Sequence, residues 1–156
     1  MKQKQFFTDT IHSFWNYTKR ISSFDQINSK NFPAAFFSVI GIMAQDCNYH
    51  ILTCYNQGNR LFFEGHYNHR HSELMLRYGN SRLVVARIEF AHKRSGNMNK
   101  LFEVLKHIKR SYHLDAIVIE SVSSDEMRSW CIKNNLEPCG NPDSVINWEW
   151  KRNRKK

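Results

Sequence analysis

The residues whose types and spacing best suit ligand binding or catalysis lie in one continuous stretch, from Ile88 to Leu101. An apolar strand runs there into a short basic loop containing Gly96, and the loop leads straight into a helix. Backbone N–H groups at a helix N-terminus can hold an anion, and the helix dipole adds to the attraction. Lys93, Arg94 and Lys100 place positive charge beside that point. The stretch therefore predicts an anion-binding loop, and a simple connection between strand and helix is the alternative.

Carboxylates next to this loop could exchange protons with a substrate. Glu89 interrupts an otherwise apolar strand, and Glu120 with Ser121 ends the next predicted strand. A carboxylate beside a bound substrate can act as a general base. Structural explanations stay open: Glu89 could pair with Arg87 or a cross-strand Lys, and Glu120 could hydrogen-bond to a neighbouring loop.

A group of histidines invites a metal-site interpretation. Its members are His50, His66, His69 and His71. The spacing His-x-x-His-x-His is not an established zinc pattern, and no Cys-x-x-Cys pair accompanies it. The polar run from Tyr67 to Ser72 favours a loop that faces solvent or substrate. We therefore expect no metal site.

The first half of the chain predicts helices and then strands. Apolar spacing over residues 6–21 predicts an amphipathic helix with an aromatic face, and Pro33 suits the first turn of a second helix that ends near Gln45. Apolar runs at 50–55 and 60–64 surround a turn signal, which predicts a β-hairpin. Residues 73–77 form an ambiguous element.

The second half alternates between strands and helices. The predicted elements are a buried strand over 82–91, a helix over 97–112, a strand over 116–122, a helix from 125 to about 134, a loop over 138–142 and a strand over 145–150. Ser123 and Glu126 have the spacing of a capping box at the start of the second helix.

This order predicts an α/β fold in which a mixed sheet carries helices on its faces. The unit from Val84 to Val122 is a strand–helix–strand crossover, for which a parallel, right-handed connection is expected. We expect one domain over residues 1–150, with a helical part at 1–47 and the sheet at 48–150. Residues 151–156 form a basic tail.

The chain from about Asn48 to Trp150 resembles the GNAT superfamily of N-acyltransferases. The order of elements matches, and the family loop Gln/Arg-x-x-Gly-x-Gly/Ala corresponds to the run from Lys93 to Met98. The resemblance implies a mostly antiparallel sheet with a central, splayed parallel strand pair. A likeness to degenerate phage-borne GNAT-like proteins implies a bacterial or mobile-element source.

The resemblance also implies that acetyl-CoA or another acyl-CoA is the co-substrate. The implied cofactor-binding residues are Ile88, Phe90, Lys93, Arg94, Ser95, Gly96, Asn97, Met98 and Asn99. The implied catalytic candidates are Glu89, Ser121 and Cys131. Cys131 aligns with the family tyrosine that protonates the leaving thiolate, and a buried small hydrophobic residue is the alternative. Met98 replaces a small residue and could crowd the pyrophosphate.

Charge and composition limit the partners. The 156 residues carry a net charge of +9, and five of the basic residues lie in the last six positions, without which the charge is +4. The tail and the basic residues around Arg70 could contact nucleic acid, or could be solvated surface. The longest apolar stretch, 32–44, is too short to span a bilayer. No secretory signal opens the chain, and four cysteines without a Cys-x-x-Cys pair favour reduced thiols in the cytoplasm.

The sequence favours acyl-CoA-dependent N-acyltransfer to a macromolecular or anionic amine acceptor. The alternative is a catalytically degenerate GNAT-like protein that binds nucleic acid or a protein partner through its basic surface. The aromatic residues Phe6, Phe7, Phe14 and Trp15 fit a core, or the surface of a homodimer.

Overall fold

The computed structural model describes residues 34–47, 51–57, 59–140 and 146–151. The helix expected over 6–21, His50 and the basic tail after Lys151 lie outside the described residues. Within these ranges, no helix is long and apolar enough to cross a membrane.

Three α-helices and seven strands are present in the described ranges. The helices are α1 (Phe37–Asp46, after a 3-10 turn at Ala34–Phe36), α2 (Asn97–Ser111) and α3 (Asp125–Lys133). The strands are β1 (Ile51–Gln57), β2 (Arg60–Tyr67), β3 (Arg70–Gly79), β4 (Arg82–Glu89), β5 (Ala116–Ile119), β6 (Glu137–Cys139) and β7 (Asn147–Trp150).

All seven strands join one sheet in the order β1-β2-β3-β4-β5-β7-β6. Every neighbouring pair is antiparallel except β4 and β5, which are parallel and connected through α2. The mostly antiparallel sheet with one central parallel pair confirms the expected fold class. The order of elements is also the one that the resemblance implies.

One region differs clearly from its prediction, because the expected loop at 67–72 is the tip of a hairpin. Strand β2 runs to Tyr67, β3 starts at Arg70, and the ambiguous element at 73–77 is the middle of this ten-residue strand. The turn consists of Asn68 and His69, whose φ angles are 46° and 63°. Positive φ at both central positions is what a tight two-residue hairpin needs, and His is an unusual residue for it.

The other corrections are small. The predicted loop at 138–142 begins inside β6, and β4 and β5 end earlier than expected. The cap of α3 is Ser124 instead of Ser123: the Ser124 hydroxyl accepts from the Met127 N–H at 3.1 Å. Ser124 is the residue with the extended backbone that an N-cap requires (φ −85°, ψ 147°).

Alternation of side chains divides the sheet into two faces. Apolar residues on one face form a single core with buried residues of all three described helices; the strand members include Leu61, Phe63, Leu74, Leu76, Leu83, Val85, Ile117, Ile119 and Trp148. On the opposite face, Val84 and Val118 are buried outside this core and lie in one cross-strand row with Arg77 and Glu149. The residues expected to bind a cofactor lie where β4 leaves the central parallel pair.

Candidate functional site

The parallel strands β4 and β5 share only part of their length. They pair from Arg82 to Val85, and the last contact is the Glu120 N–H donating to the Val85 carbonyl at 3.0 Å. Strand β4 continues to Glu89. The register with β3 shifts so that Val85 and Arg87 face consecutive β3 residues and Ala86 is the extra residue of a bulge. A bulge bends its strand, so the end of β4 is turned away from β5.

A cavity of about 710 Å³ opens beside this free end of β4. It is bounded by the end of β4, the loop that follows it, the first turn of α2 and one side of α3. Its lining residues are Ile88, Glu89, Phe90, His92, Lys93, Arg94, Ser95, Gly96, Asn97, Met98, Asn99, Ser124, Glu126, Met127 and Trp130. All nine residues expected to bind a cofactor therefore lie around one cavity, together with Glu89.

The N-terminus of α2 points its backbone donors toward this cavity region without a cap of its own. No side chain caps the helix, and no acidic residue lies in its first turn. The first helical hydrogen bond is from the Lys100 N–H to the Gly96 carbonyl at 3.1 Å. The N–H groups of Asn97, Met98 and Asn99 precede that bond, so they have no acceptor within the helix.

The loop before α2 has a backbone suited to an anion. Arg94 and Gly96 both adopt positive φ angles, 59° and 82°. Left-handed residues of this kind turn successive N–H groups inward and form concave anion-binding sites. Lys93, Arg94, Ser95 and Gly96 are exposed, and the Arg94 guanidinium also lies 3.6 Å from the exposed carboxylate of Glu126.

A buried residue of α1, Asp46, holds this loop through hydrogen bonds, and the sequence interpretation missed it. Asp46, the last residue of α1, is 1% exposed. Its Oδ2 accepts from the Ala91 N–H at 2.7 Å and from the Ser72 hydroxyl, and its Oδ1 accepts from the His92 N–H at 3.0 Å and the Asn97 amide at 2.9 Å. One carboxylate thus connects α1, β3, the loop and the first residue of α2.

Glu89 is exposed at the rim of the cavity. Its Oε2 lies 3.8 Å from His71 Nδ1. Arg87, the partner that the sequence left open for Glu89, donates to the Glu73 carboxylate at 2.8 Å. Glu89 therefore has the imidazole of His71 as a polar neighbour at the rim of the cavity.

Among the described residues, the one group that could hold a metal ion is His71, Glu73 and Glu89, whose ligand atoms lie within 4.8 Å of one another. Of the histidines grouped in the sequence, His66 stacks on His71 with ring centroids 5.0 Å apart, and His69 lies in the hairpin turn. Arg87 already neutralises part of the charge of Glu73. Of the three residues, only Glu89 lines the cavity.

Glu120 and Ser121 do not line the main cavity. Glu120 forms an ion pair with Arg77 and lines a second cavity of about 550 Å³ with it. The Ser121 N–H donates to the Asn147 side chain at 3.1 Å, and Ser121 has a positive φ of 57°. The Glu120 side chain thus reaches β3, and Ser121 connects the end of β5 to β7.

Cys131 lies in the core and has no exposed surface. Burial raises the pKa of its thiol from 9.0 to about 11. It does not line the cavity, whereas its neighbour Trp130 does. Trp130 donates to the Asn99 side chain at 2.8 Å and packs edge-on against Phe102, which ties α3 to the first turns of α2.

Met98 belongs to both the core and the cavity. It is half-buried, it packs against the hydrophobic core, and it contributes to the cavity wall. The Met side chain therefore has an apolar surface to pack on, although it also forms part of the cavity wall.

Of three comparisons with known proteins, only the one with solved structures found matches. No protein-family model and no curated protein matches the sequence. The solved structures that it resembles include the anti-CRISPR protein AcrVA5 (18% identity, 51% of this chain and 90% of that chain, TM-score 0.41). They also include PaiA N-acetyltransferase from Thermoplasma acidophilum in complex with coenzyme A (10% identity, 96% and 92%, TM-score 0.46). A third is an acyl-CoA N-acyltransferase from Pseudomonas aeruginosa (8% identity, 82% and 93%, TM-score 0.40). All three TM-scores are low, so a function has to be inferred from the residues around the cavity.

Proposed function

We propose that the protein is an acyl-CoA-dependent N-acyltransferase, with acetyl as the transferred group. The observation that carries the proposal is the cavity at the free end of β4, beside the uncapped N-terminus of α2. A site for acyl-CoA needs anion donors at one end and an apolar slot with backbone partners at the other. Both features are present around this cavity.

The pyrophosphate of CoA would bind at the start of α2. The N–H groups of residues 97–99 would donate to its oxygens, because no side chain of the helix occupies them. Lys93 and Arg94 would add charge from the exposed loop. The pantetheine arm would then run along residues 88–90, at and just beyond the end of β4, where the pairing with β5 has ended.

The thioester would lie near the end of β4, within reach of an acceptor amine entering from solvent. The neutral amine attacks the thioester carbonyl, a C–N bond forms, the C–S bond breaks and the CoA thiolate leaves. A main-chain N–H of β4 polarises the carbonyl. Glu89 takes the proton that the amine loses, and that proton is available to the departing thiolate. The excess of basic residues in the chain favours a macromolecular or anionic molecule as the carrier of the amine.

A thermal-shift experiment with CoA tests the proposal through two matched variants of Gly96. Asn and Asp have the same shape, and both tolerate the positive φ better than most residues. A Cβ at position 96 meets no atom within 4 Å. We expect Gly96→Asn to keep most of the stabilisation by CoA and Gly96→Asp to lose it, since only Asp places a negative charge beside the phosphates.

The expected size of the effect makes the measurement practical. A ligand at one hundred times its Kd stabilises the native state by about 2.7 kcal/mol, which moves Tm by several degrees. No shift of the unsubstituted protein at millimolar CoA would contradict the proposal. Equal shifts for the Asn and Asp variants would place CoA elsewhere.

The second candidate function is a non-catalytic protein that binds nucleic acid or a protein partner through its basic surface. The burial of Cys131 favours it, because the residue aligned with the family acid does not reach the cavity. Titration with a DNA or RNA oligonucleotide at several salt concentrations distinguishes this function, since phosphate contacts give a steep loss of affinity with salt.

A further inference from the structure

We infer that Asp46 is the positioning residue of the proposed CoA loop: its buried carboxylate holds both ends of residues 91–97 in the shape that receives the pyrophosphate. This inference rests on the proposed function. It adds a residue from α1, far from the loop in the sequence, whose substitution should weaken CoA binding without any contact between Asp46 and CoA.

The contacts of Asp46 fall at the two ends of the loop. At the beginning, the N–H groups of Ala91 and His92 donate to Oδ2 and Oδ1 at 2.7 and 3.0 Å. At the end, the amide of Asn97, the first residue of α2, donates to Oδ1 at 2.9 Å. The four residues between these anchors include Lys93, Arg94 and Gly96, which carry the charge and the left-handed conformations of the site.

Further hydrogen bonds reinforce the first anchor. The Asp46 carbonyl oxygen accepts from His92 Nδ1 at 2.6 Å, and the His92 carbonyl accepts from the Ser95 hydroxyl at 2.7 Å. The Ala91 carbonyl accepts from Arg70 at 3.3 Å. The start of the loop is thus held to α1 and to β3.

Only a carboxylate matches the donors around position 46. Four donors converge on its two oxygens, from Ser72, Ala91, His92 and Asn97. An ionised carboxylate accepts at both oxygens and donates nothing, whereas an amide offers one oxygen and an NH2 group. In an Asp46→Asn variant, either orientation of the amide would turn its NH2 toward a backbone N–H, of Ala91 or of His92. A buried donor left without an acceptor is unfavourable.

The position of Asp46 conflicts with local preference. A carboxylate at a helix C-terminus faces the negative end of the helix dipole, and α1 ends at this residue. Asp is also a residue that is rarely fully buried without partners. A charge at this position stabilises neither α1 nor the core. We therefore attribute the presence of an Asp here to its hydrogen bonds with the loop.

Two ligands, of which only CoA carries the pyrophosphate and its nucleotide, test the inference. The full chain with Asp46→Asn is titrated by calorimetry with CoA, and by NMR with pantetheine, which lacks the pyrophosphate. We expect the Kd for CoA to rise at least about tenfold, because the loop has to be ordered on binding, while the Kd for pantetheine stays within about twofold. A loss of general stability would affect both ligands alike.

Leu61→Ala is the matched control. Leu61 is buried in the core, 4% exposed, and pairs with Leu76, whereas Ser72 pairs with Gly65 further along the same two strands. The substitution destabilises the protein without touching the loop, and the Kd for CoA should stay within about twofold of the unsubstituted value. If Asp46→Asn does not fold, Asn97→Ala removes only the anchor to α2 and should raise the Kd for CoA several-fold.

The outcomes separate the two levels of the proposal. Selective loss of CoA affinity in Asp46→Asn supports the inference. A folded Asp46→Asn that binds CoA as tightly as the unsubstituted protein overturns it, and so does an equal loss for CoA and pantetheine. If the unsubstituted protein binds CoA and only the inference fails, the proposed function stands. If the unsubstituted protein does not bind CoA, the proposed function itself is overturned.

Discussion

Two junctions in this molecule have the same outline and opposite chemistry. Strand β4 leads through residues 90–96 into α2, and the parallel strand β5 leads through residues 120–124 into α3. The two helix N-termini therefore lie at the same edge of the sheet, and residues of both line the cavity.

The second junction satisfies its own helix end. Ser124 caps α3, and Asp125 and Glu126 place negative charge in its first turn. These groups complement the positive end of the helix dipole. Arg94 from the other junction even lies toward Glu126.

The first junction leaves its helix end open. Gly96 provides no capping side chain, the first turn of α2 contains no acid, and the neighbouring residues Lys93 and Arg94 repel the positive end of the dipole. Hydrogen bonds to this loop come from a residue outside it, because Asp46 accepts from His92 and from Asn97. The two helix ends therefore differ in their own residues: the start of α3 has a cap and two acidic residues, and the start of α2 has neither.

Closing the open junction should have the largest effect. Asn99→Glu puts a carboxylate into the first turn of α2, as Glu126 does in α3, and its oxygen can still accept from Trp130. We expect the Kd for CoA to rise at least about tenfold, because like charges meet in the site, while Tm stays equal or rises slightly through the dipole interaction. Calorimetry with CoA and a melting curve measure both quantities.

Asn99→Gln is the matched control for this change, since it has the size of Glu without the charge. It should bind CoA within about threefold of the unsubstituted protein. Equal losses for Gln and Glu would mean that bulk matters and charge does not, and the contrast between the two junctions would then have no electrostatic basis.

Removing the cap of α3 should have a smaller effect than closing the open junction, and the effect should be on the stability of the protein. Ser124→Ala removes the acceptor of the Met127 N–H, which we expect to lower the free energy of unfolding by about 1 kcal/mol. Ser123→Ala, one residue outside the cap and exposed, should change it by less than about 0.5 kcal/mol. Urea unfolding monitored by circular dichroism compares them, and a larger loss at Ser123 would return the cap to the position that the sequence pattern suggested.

The sequence predicted the helix, the strand and the loop that surround the site well, because each depends on residues that are close together in the chain. The stripe of Leu101, Leu105 and Ile108 is buried as its helical period requires, and α2 starts and ends within one residue of its predicted bounds. The apolar run of β5 and the loop around Gly96 are equally local signals. Neighbouring residues alone specify these elements.

The sequence did not predict the features that depend on distant partners. Asp46 bonds to residues 26 to 51 positions further along the chain, so no short pattern contains both ends of the contact. The bulge at Ala86 is a property of the register between β3 and β4. The Asn68–His69 turn was missed for a different reason, because the second residue of such a turn is usually Gly.

The smallest expected effect concerns the candidate of α3 that faces the core, Cys131. Burial raises the pKa of its thiol from 9.0 to about 11, so the folded protein holds this proton more tightly than the unfolded chain. Its contribution to stability is complete below pH 9 and is lost as the pH rises from about 9 toward 11. Cys131→Ala, compared at each pH with the unsubstituted protein by urea unfolding, should flatten this decline. If the two declines run parallel, the pKa of the thiol is the same in the folded protein and in the unfolded chain. Cys131 would then not be a buried core residue, and it would again be a candidate acid at the cavity.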